Sequence, residues 1–139
     1  MITLLEKCMK IAEEAHKGQI RKYGNDKGKP YIIHPRRVAS VFDHLEQQCV
    51  AYLHDTLEDT SITRKHLEDA EIPHNIIAAV ETISRIRGES YLEFILRVSK
   101  NPLGKTVKIE DIRDNMMSLE EGSLKDKYRL ALYILEWIS

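Results

Sequence analysis

Eight consecutive residues, Leu53-His54-Asp55-Thr56-Leu57-Glu58-Asp59-Thr60, carry four side chains that can bind a metal or move a proton. They follow an apolar run, Cys49-Val50-Ala51-Tyr52-Leu53, in which an adjacent His-Asp pair is expensive. Imidazole beside carboxylate lowers helix propensity, and a carboxylate buried without a partner costs several kcal/mol or shifts its pKa. A divalent metal removes that cost. His54 and Asp55 supply one imidazole and one carboxylate, the donor types of hydrolytic metal sites that keep positions open for water and substrate. Neighbouring helix positions lie about 100° apart around the axis, so a kink or a long reach is needed for both to meet one ion.

Further ligands are sought elsewhere in the chain. His34 stands at a loop–helix junction, and Lys108-Ile109-Glu110-Asp111 offers an acid. Asp111 is the better candidate of the two acids, because it lies among Val107, Ile109, Ile112 and Met116, where a carboxylate is dearer than on a surface. Glu58 and Asp59 follow His54 and Asp55 by four residues, one helical turn, and a carboxylate near a metal-bound water can orient or deprotonate it. The plainer reading of the pair is an acidic helix end, which the helix dipole disfavours. Asn115, one turn beyond Asp111, is a poor mid-helix residue that can bind a ribose or phosphate. His16 borders a basic loop and reads as a supporting or substrate contact; His44, His66 and His74 read as surface or capping positions.

The elements that must position these residues read as helices throughout. Leu4, Leu5, Cys8, Ile11, Ala12 and Ala15 recur at helical spacing over residues 3–17, with Thr3 as N-cap and Gly18 as the stop. Residues 18–30 form a Gly-rich loop containing Arg21, Lys22, Lys27 and Lys29, with Lys17 just before it; it is either a phosphate-wrapping loop or a solvated one. Pro35 opens a helix to about Leu45, with Val38, Ala39, Val41, Phe42 and Leu45 inward. A helix from Gln47 to Leu57 carries His54-Asp55. Ser61 or Thr63 caps a short helix to Ala70, and Pro73 begins another with Ile76, Ile77, Ala79, Val80 and Ile83 inward. Ser90 caps a helix containing Phe94, Ile95 and Val98. Leu103 to about Met117 and Ser123 or Leu124 to Ile138 complete the chain. Strand-type alternation and internal repeats are absent, which predicts one all-α domain over residues 1–139, a bundle of about eight helices.

Composition narrows the function classes. In 139 residues, 42% are apolar and 31% charged, and the net charge is −1, so nothing predicts general nucleic-acid binding and any anion site must be local. No run reaches membrane-span length and the N-terminus lacks a signal-peptide layout, so no membrane partner is expected. The two cysteines, Cys8 and Cys49, make no disulfide framework; a reduced, cytoplasmic setting is expected. Trp137 packs either in the core or in a homo-oligomer interface.

The order His34, His54-Asp55, Asp111 resembles the His…His-Asp…Asp signature of the HD superfamily of metal-dependent phosphohydrolases. Three longer segments sharpen it: Ala15-His16-Lys17-Gly18-Gln19-Ile20-Arg21-Lys22 with Gly28-Lys29-Pro30-Tyr31-Ile32-Ile33-His34-Pro35, then residues 54–60, then Val107 to Met116. Together they resemble the hydrolase domain of RelA/SpoT homologues and the small stand-alone alarmone hydrolases. The resemblance implies an HD-type helical bundle in which His34, His54, Asp55 and Asp111 hold one metal, usually manganese, and Glu58 and Asp59 activate water. It further implies that Arg21, Lys22 and Asn115 contact a nucleotide, and it matches Arg129 and Tyr133 to a substrate-contacting pair. The implied reaction removes the 3′ pyrophosphate from guanosine tetra- or pentaphosphate; with no synthetase domain following, hydrolysis alone is expected. The chain departs from the pattern at Ile112-Arg113-Asp114, where the family commonly has Arg-Leu-His. Asp114 pointing inward would oppose a highly charged substrate, and pointing outward would be harmless. Two other functions stay open: phosphohydrolysis of another nucleotide or phosphorylated cofactor, and a nucleotide-binding module without turnover.

Overall fold

The computed structural model describes residues 1–138 as helices joined by short turns. The elements are α1 (Leu4–Ala15), α2 (Ile33–Ser40), α3 (Leu45–Leu53), α4 (Thr56–Asp59), α5 (Arg64–Asp69), α6 (His74–Thr82), α7 (Tyr91–Val98), α8 (Pro102–Met117) and α9 (Ser123–Tyr133), with a π-helical turn over Ile134–Ile138. Eight of these nine exceed a single turn, in line with the all-α expectation. The described β-structure is one antiparallel bridge, Ile20 to Pro30, which closes the base of the basic loop.

Local sequence sets most boundaries. Thr3 caps α1 by accepting from the Glu6 amide, Thr63 and Ser90 form capping boxes with His66 and Glu93, and Asn101 caps α8 with Pro102 in its first turn. His66 is thus a capping residue, as expected. Helix α3 is the centre of the bundle. Cys49, Val50, Ala51, Tyr52 and Leu53 are all buried, and the helix packs on α1, α2, α6 and α8. Helix α8 presents Gly104, Val107, Asp111 and Asp114 on one buried stripe at helical spacing. Its N-terminal end approaches α6 closely, where a Cβ on Gly104 would lie 3.1 Å from Ile83 and 3.3 Å from the Ala79 carbonyl oxygen.

Two expectations are corrected. Helix α2 begins at Ile33, before Pro35, and stops at Ser40 instead of near Leu45. Tight i−3 closures at Val41 and Phe42 end it early, and Val41 and Leu45 are exposed rather than inward. His34 accordingly lies inside the first turn of α2 and not ahead of it. The predicted continuous helix from Gln47 to Leu57 is broken at His54-Asp55, so that α3 and α4 are separate. No described helix is long and apolar enough to cross a membrane.

The basic loop is anchored on the C-terminal end of α8. The Asn25 amide donates to the Ser118 carbonyl, and Gly24 adopts φ +71° with no room for a side chain: a Cβ there would lie 2.2 Å from that same oxygen. Gly24→Ala is therefore expected to cost about 2 kcal/mol or more, read as a lowered denaturant midpoint in urea unfolding followed by circular dichroism.

Candidate active site and metal centre

Four donor atoms converge in the interior between α2, α3 and α8. His34 Nε2 lies 2.7 Å from Asp111 Oδ1, 3.2 Å from His54 Nε2 and 3.9 Å from Asp55 Oδ2. His54 Nε2 lies 3.0 Å from Asp55 Oδ2 and 3.2 Å from Asp111 Oδ1. The side chains of His34, His54 and Asp111 are at most 4% exposed, and that of Asp55 is 17% exposed. The break after Leu53 is what makes this possible. Thr56 donates its hydroxyl hydrogen to the Leu53 carbonyl, the chain turns at Asp55 (φ −102°, ψ −1°), and two adjacent side chains reach one centre.

The outer contacts aim the donors inward. His54 Nδ1 is 2.6 Å from the Ala51 carbonyl, which can only accept, so Nδ1 carries a hydrogen and Nε2 is the nitrogen that faces the cluster. His34 Nδ1 is 2.6 Å from Asp114 Oδ2, which orients that ring in the same way. Lys108 Nζ holds the other oxygen of Asp111 at 2.8 Å, and the Tyr31 hydroxyl donates to Asp55. Two lone pairs and two carboxylates facing one another at about 3 Å repel unless protons or a cation stand among them. The donor spacing suits ligands bonded at about 2.0–2.2 Å to one ion, and His34, His54 and Asp111 form a group able to hold a metal.

The electrostatics carry the same signature. Burial alone would lower the proton affinity of His54, but Asp55 and Asp111 outweigh it and raise the pKa well above the ordinary imidazole range. Burial pushes Asp111 up, but Lys108 and His54 hold it well below the usual carboxylate range. Burial likewise opposes ionisation of Lys108, and Asp111 overcomes it. Asp59 moves the other way: its own desolvation, then the charges of Asp55 and Glu58, raise its pKa from 3.8 to about 6.

A cleft of about 560 Å³ adjoins the cluster, lined among others by Gln19, Arg21, Lys22, Tyr31, Asp59, Asn115, Leu124 and Tyr128. Its wall is bonded to the donor cluster. Asn115 Nδ2 donates to Asp111 Oδ1 at 3.2 Å, Arg21 Nη2 donates to Asn115 Oδ1 at 2.9 Å, and Arg21 lies over the Tyr31 ring at 5.4 Å. The expected residues Arg21, Lys22, Asn115 and Asp59 are thus brought to one cavity beside the donors.

Others are placed differently. The Glu58 carboxylate accepts from the Arg85 amide at 2.7 Å, because the break at His54-Asp55 rotates α4 and Glu58 no longer stacks over His54. Arg129 is tied at the surface to Glu121 and Asp126, and Tyr133 is 56% exposed; neither lines the cleft. They share a helix face as expected, but α9 turns Leu124 and Tyr128, one turn apart, toward the cleft instead. Asp114 points inward without lining the cleft, its charge met by Arg37 at 2.8 Å, and Arg113 pairs with Glu110 and Glu136 outside. Sequence reasoning passed over Tyr31, Lys108 and Tyr128. The position of Asp114 three residues after Asp111 was the available signal for one helix face. His16 is buried against Tyr31, and its Nδ1 bonds Gln19 at 2.7 Å.

Comparison with known proteins agrees with this geometry. The chain is 33% identical over 135 residues to a guanosine-3′,5′-bis(diphosphate) 3′-pyrophosphohydrolase of Haemophilus influenzae, covering 86% of this chain and 19% of that protein. It is 32% identical over 126 residues to the enzyme of the same name from Aquifex aeolicus, covering 83% and 18%. A probable GTP pyrophosphokinase of Mycobacterium leprae is 26% identical over 151 residues, covering 99% and 19%. The chain is homologous to one segment of SpoT- and RelA-type enzymes. It spans about a fifth of the length of these relatives. A solved metazoan SpoT orthologue that hydrolyses ppGpp superposes with a TM-score of 0.76 at 20% identity, over 97% of this chain and 84% of that one, which shows the shared all-helical fold. No family model matches the chain.

The raised pKa of Asp59 has a consequence for stability. Its neutral form is favoured in the fold, so its contribution is complete below the unfolded value of 3.8 and is lost as pH rises through about 6. In metal-free protein, Asp59→Asn should melt at a higher temperature than the parent at pH 8, with the gap closing toward pH 4, as measured by calorimetry in chelator.

Proposed function

We propose that this chain is a metal-dependent pyrophosphohydrolase acting on guanosine 3′,5′-bis(diphosphate), with manganese as its ion. One observation carries the reading: the wall of a nucleotide-sized cleft is hydrogen-bonded directly to the carboxylates of a two-histidine, two-aspartate donor set, through Asn115 to Asp111 and Tyr31 to Asp55. The identities to 3′-pyrophosphohydrolases support the substrate.

His34, His54, Asp55 and Asp111 would hold the ion, which when bound supplies an acidified water and positive charge against the phosphate oxygens. The protein's own groups do the rest. Arg21 and Lys22 place fixed and mobile positive charge at the cleft where the pyrophosphate is released. Arg21 is 8% exposed and locked on Asn115 and Tyr31, so it binds phosphate without first losing freedom. In the reaction, water adds to the phosphorus next to O3′, the P–O3′ bond breaks, and O3′ leaves with a proton to give GDP and pyrophosphate. Asp59, whose own burial raises its proton affinity, takes the proton from the attacking water. Glu58 supports it by holding the Arg85 amide and adding the charge that raises that pKa. Leu124 and Tyr128 give the cleft an apolar side against which a base can rest.

The test is pyrophosphate release from guanosine 3′,5′-bis(diphosphate) by the purified chain with manganese. Release should fall by about 100-fold or more in His54→Ala and Asp55→Ala, and manganese should raise the melting temperature of the parent but not of these variants. Phosphate or pyrophosphate from a different nucleotide, with none from the guanosine compound, would overturn the substrate and keep the chemistry. Absence of both turnover and a manganese-dependent melting shift would overturn the reading.

A further inference from the structure

Arg37 stands between the two parts of the site. Its Nη2 lies 2.5 Å from Asp26 Oδ2 in the basic loop, while its Nε and Nη2 lie 2.8 and 3.0 Å from the two oxygens of Asp114 on α8. Asp114 in turn bonds His34 Nδ1 at 2.6 Å. Both carboxylates are more than nine-tenths buried, although Arg37 itself sits on the first exposed rim of α2 with a side chain 40% exposed. Asp26 is also reached by Lys29 at 3.4 Å. Without the guanidinium, Asp26 would keep only the longer Lys29 contact and Asp114 only the His34 ring, so both carboxylates draw their closest fixed positive charge from Arg37. The planar fork fixes the direction of both, as a point charge on a flexible stem would not.

We infer that Arg37, through Asp114 and Asp26, is a positioning residue that sets the ring of His34 and the fold of the basic loop together. This rests on the hydrolase reading only where it concerns the ion. Asp114 fixes which nitrogen of His34 faces the cluster, and an outer hydrogen-bond partner of this kind is commonly worth 10- to 100-fold, as an order of magnitude, in metal affinity. Asp26 ends the short 3₁₀ turn Gly24–Asp26, so the same guanidinium pins the loop that carries Arg21 and Lys22 to the cleft. The structure shows why an acid is tolerated at position 114: its charge is spent on Arg37 and His34 and not on the cleft.

The experiment uses the full chain and three variants, Asp114→Asn, Arg37→Gln and Arg37→Lys, each first confirmed as folded by circular dichroism. Manganese affinity is measured by titration calorimetry, and amide hydrogen exchange over residues 21–29 is measured without metal. Arg37→Gln should weaken manganese binding by about 10-fold or more and speed exchange across the loop. Asp114→Asn should weaken manganese at least as much, and Arg37→Lys should fall between Arg37→Gln and the parent in both measurements. Manganese affinity within twofold of the parent in both Asp114→Asn and Arg37→Gln, or unchanged loop exchange in Arg37→Gln, would overturn the inference. A parent chain with no affinity for manganese would overturn the hydrolase reading instead, and the metal-free exchange then decides whether Arg37 holds the loop.

Discussion

Two imidazoles, each within 4 Å of two carboxylates in the interior of a helical bundle, are the constraint on which the rest of the structure depends. Such a concentration of donors repels itself and is poorly solvated, so the surrounding protein has to supply compensation and rigidity. Lys108 meets Asp111, Tyr31 meets Asp55, Asp114 meets His34, and the Ala51 carbonyl meets His54. Each donor has one partner outside the cluster and one face within it. That division leaves the centre electron-rich and pre-oriented, the condition under which a divalent ion is bound with little reorganisation.

The fold serves this centre by an economical use of helix ends. A straight α3 would have sent His54 and Asp55 about 100° apart. The turn between α3 and α4 brings them together and separates Glu58 from Asp59 in role: Glu58 is directed to the Arg85 amide, and Asp59 remains at the cleft with a raised proton affinity. The C-terminal half of α3, Cys49 to Leu53, is buried throughout and gives that turn a fixed base. Helix α8 delivers Asp111, Asp114 and Asn115 from a single stripe, so one donor of the cluster, the acid that orients His34 and a cleft residue share one rigid element.

The cleft beside the centre is built from elements far apart in sequence. The loop after α1 contributes Arg21 and Lys22, α8 contributes Asn115, and α9 contributes Leu124 and Tyr128. Asn115 bonds Asp111 directly and Arg21 bonds Asn115, so displacement of the Asp111 carboxylate would be felt in the cleft and the reverse. The loop is held at both ends: the Ile20–Pro30 bridge closes its base, and the contacts of Gly24, Asn25 and Asp26 with Ser118 and Arg37 fix its tip.

Much of this was legible in the chain itself. Helical periodicity, caps at Thr3, Thr63 and Ser90, and the stop at Gly18 follow from local backbone chemistry, and so does the all-α class. The cost of placing His54-Asp55 and Asp111 among apolar residues marked the donor set before any contact was known, because an unpaired charge in a core requires a reason. Tertiary structure alone decided the rest. Whether Asp114 faced in or out depended on Arg37, seventy-seven residues away in sequence, and no local pattern encodes that pairing. The choice of Tyr128 over Arg129 and Tyr133 at the cleft depended on how α9 rotates when it packs on α8, since one residue along a helix turns a side chain by about 100°. The break that unites His54 and Asp55 belongs to both: the residues required convergence, and only the packed α3, ending at Leu53, determined how the chain achieves it.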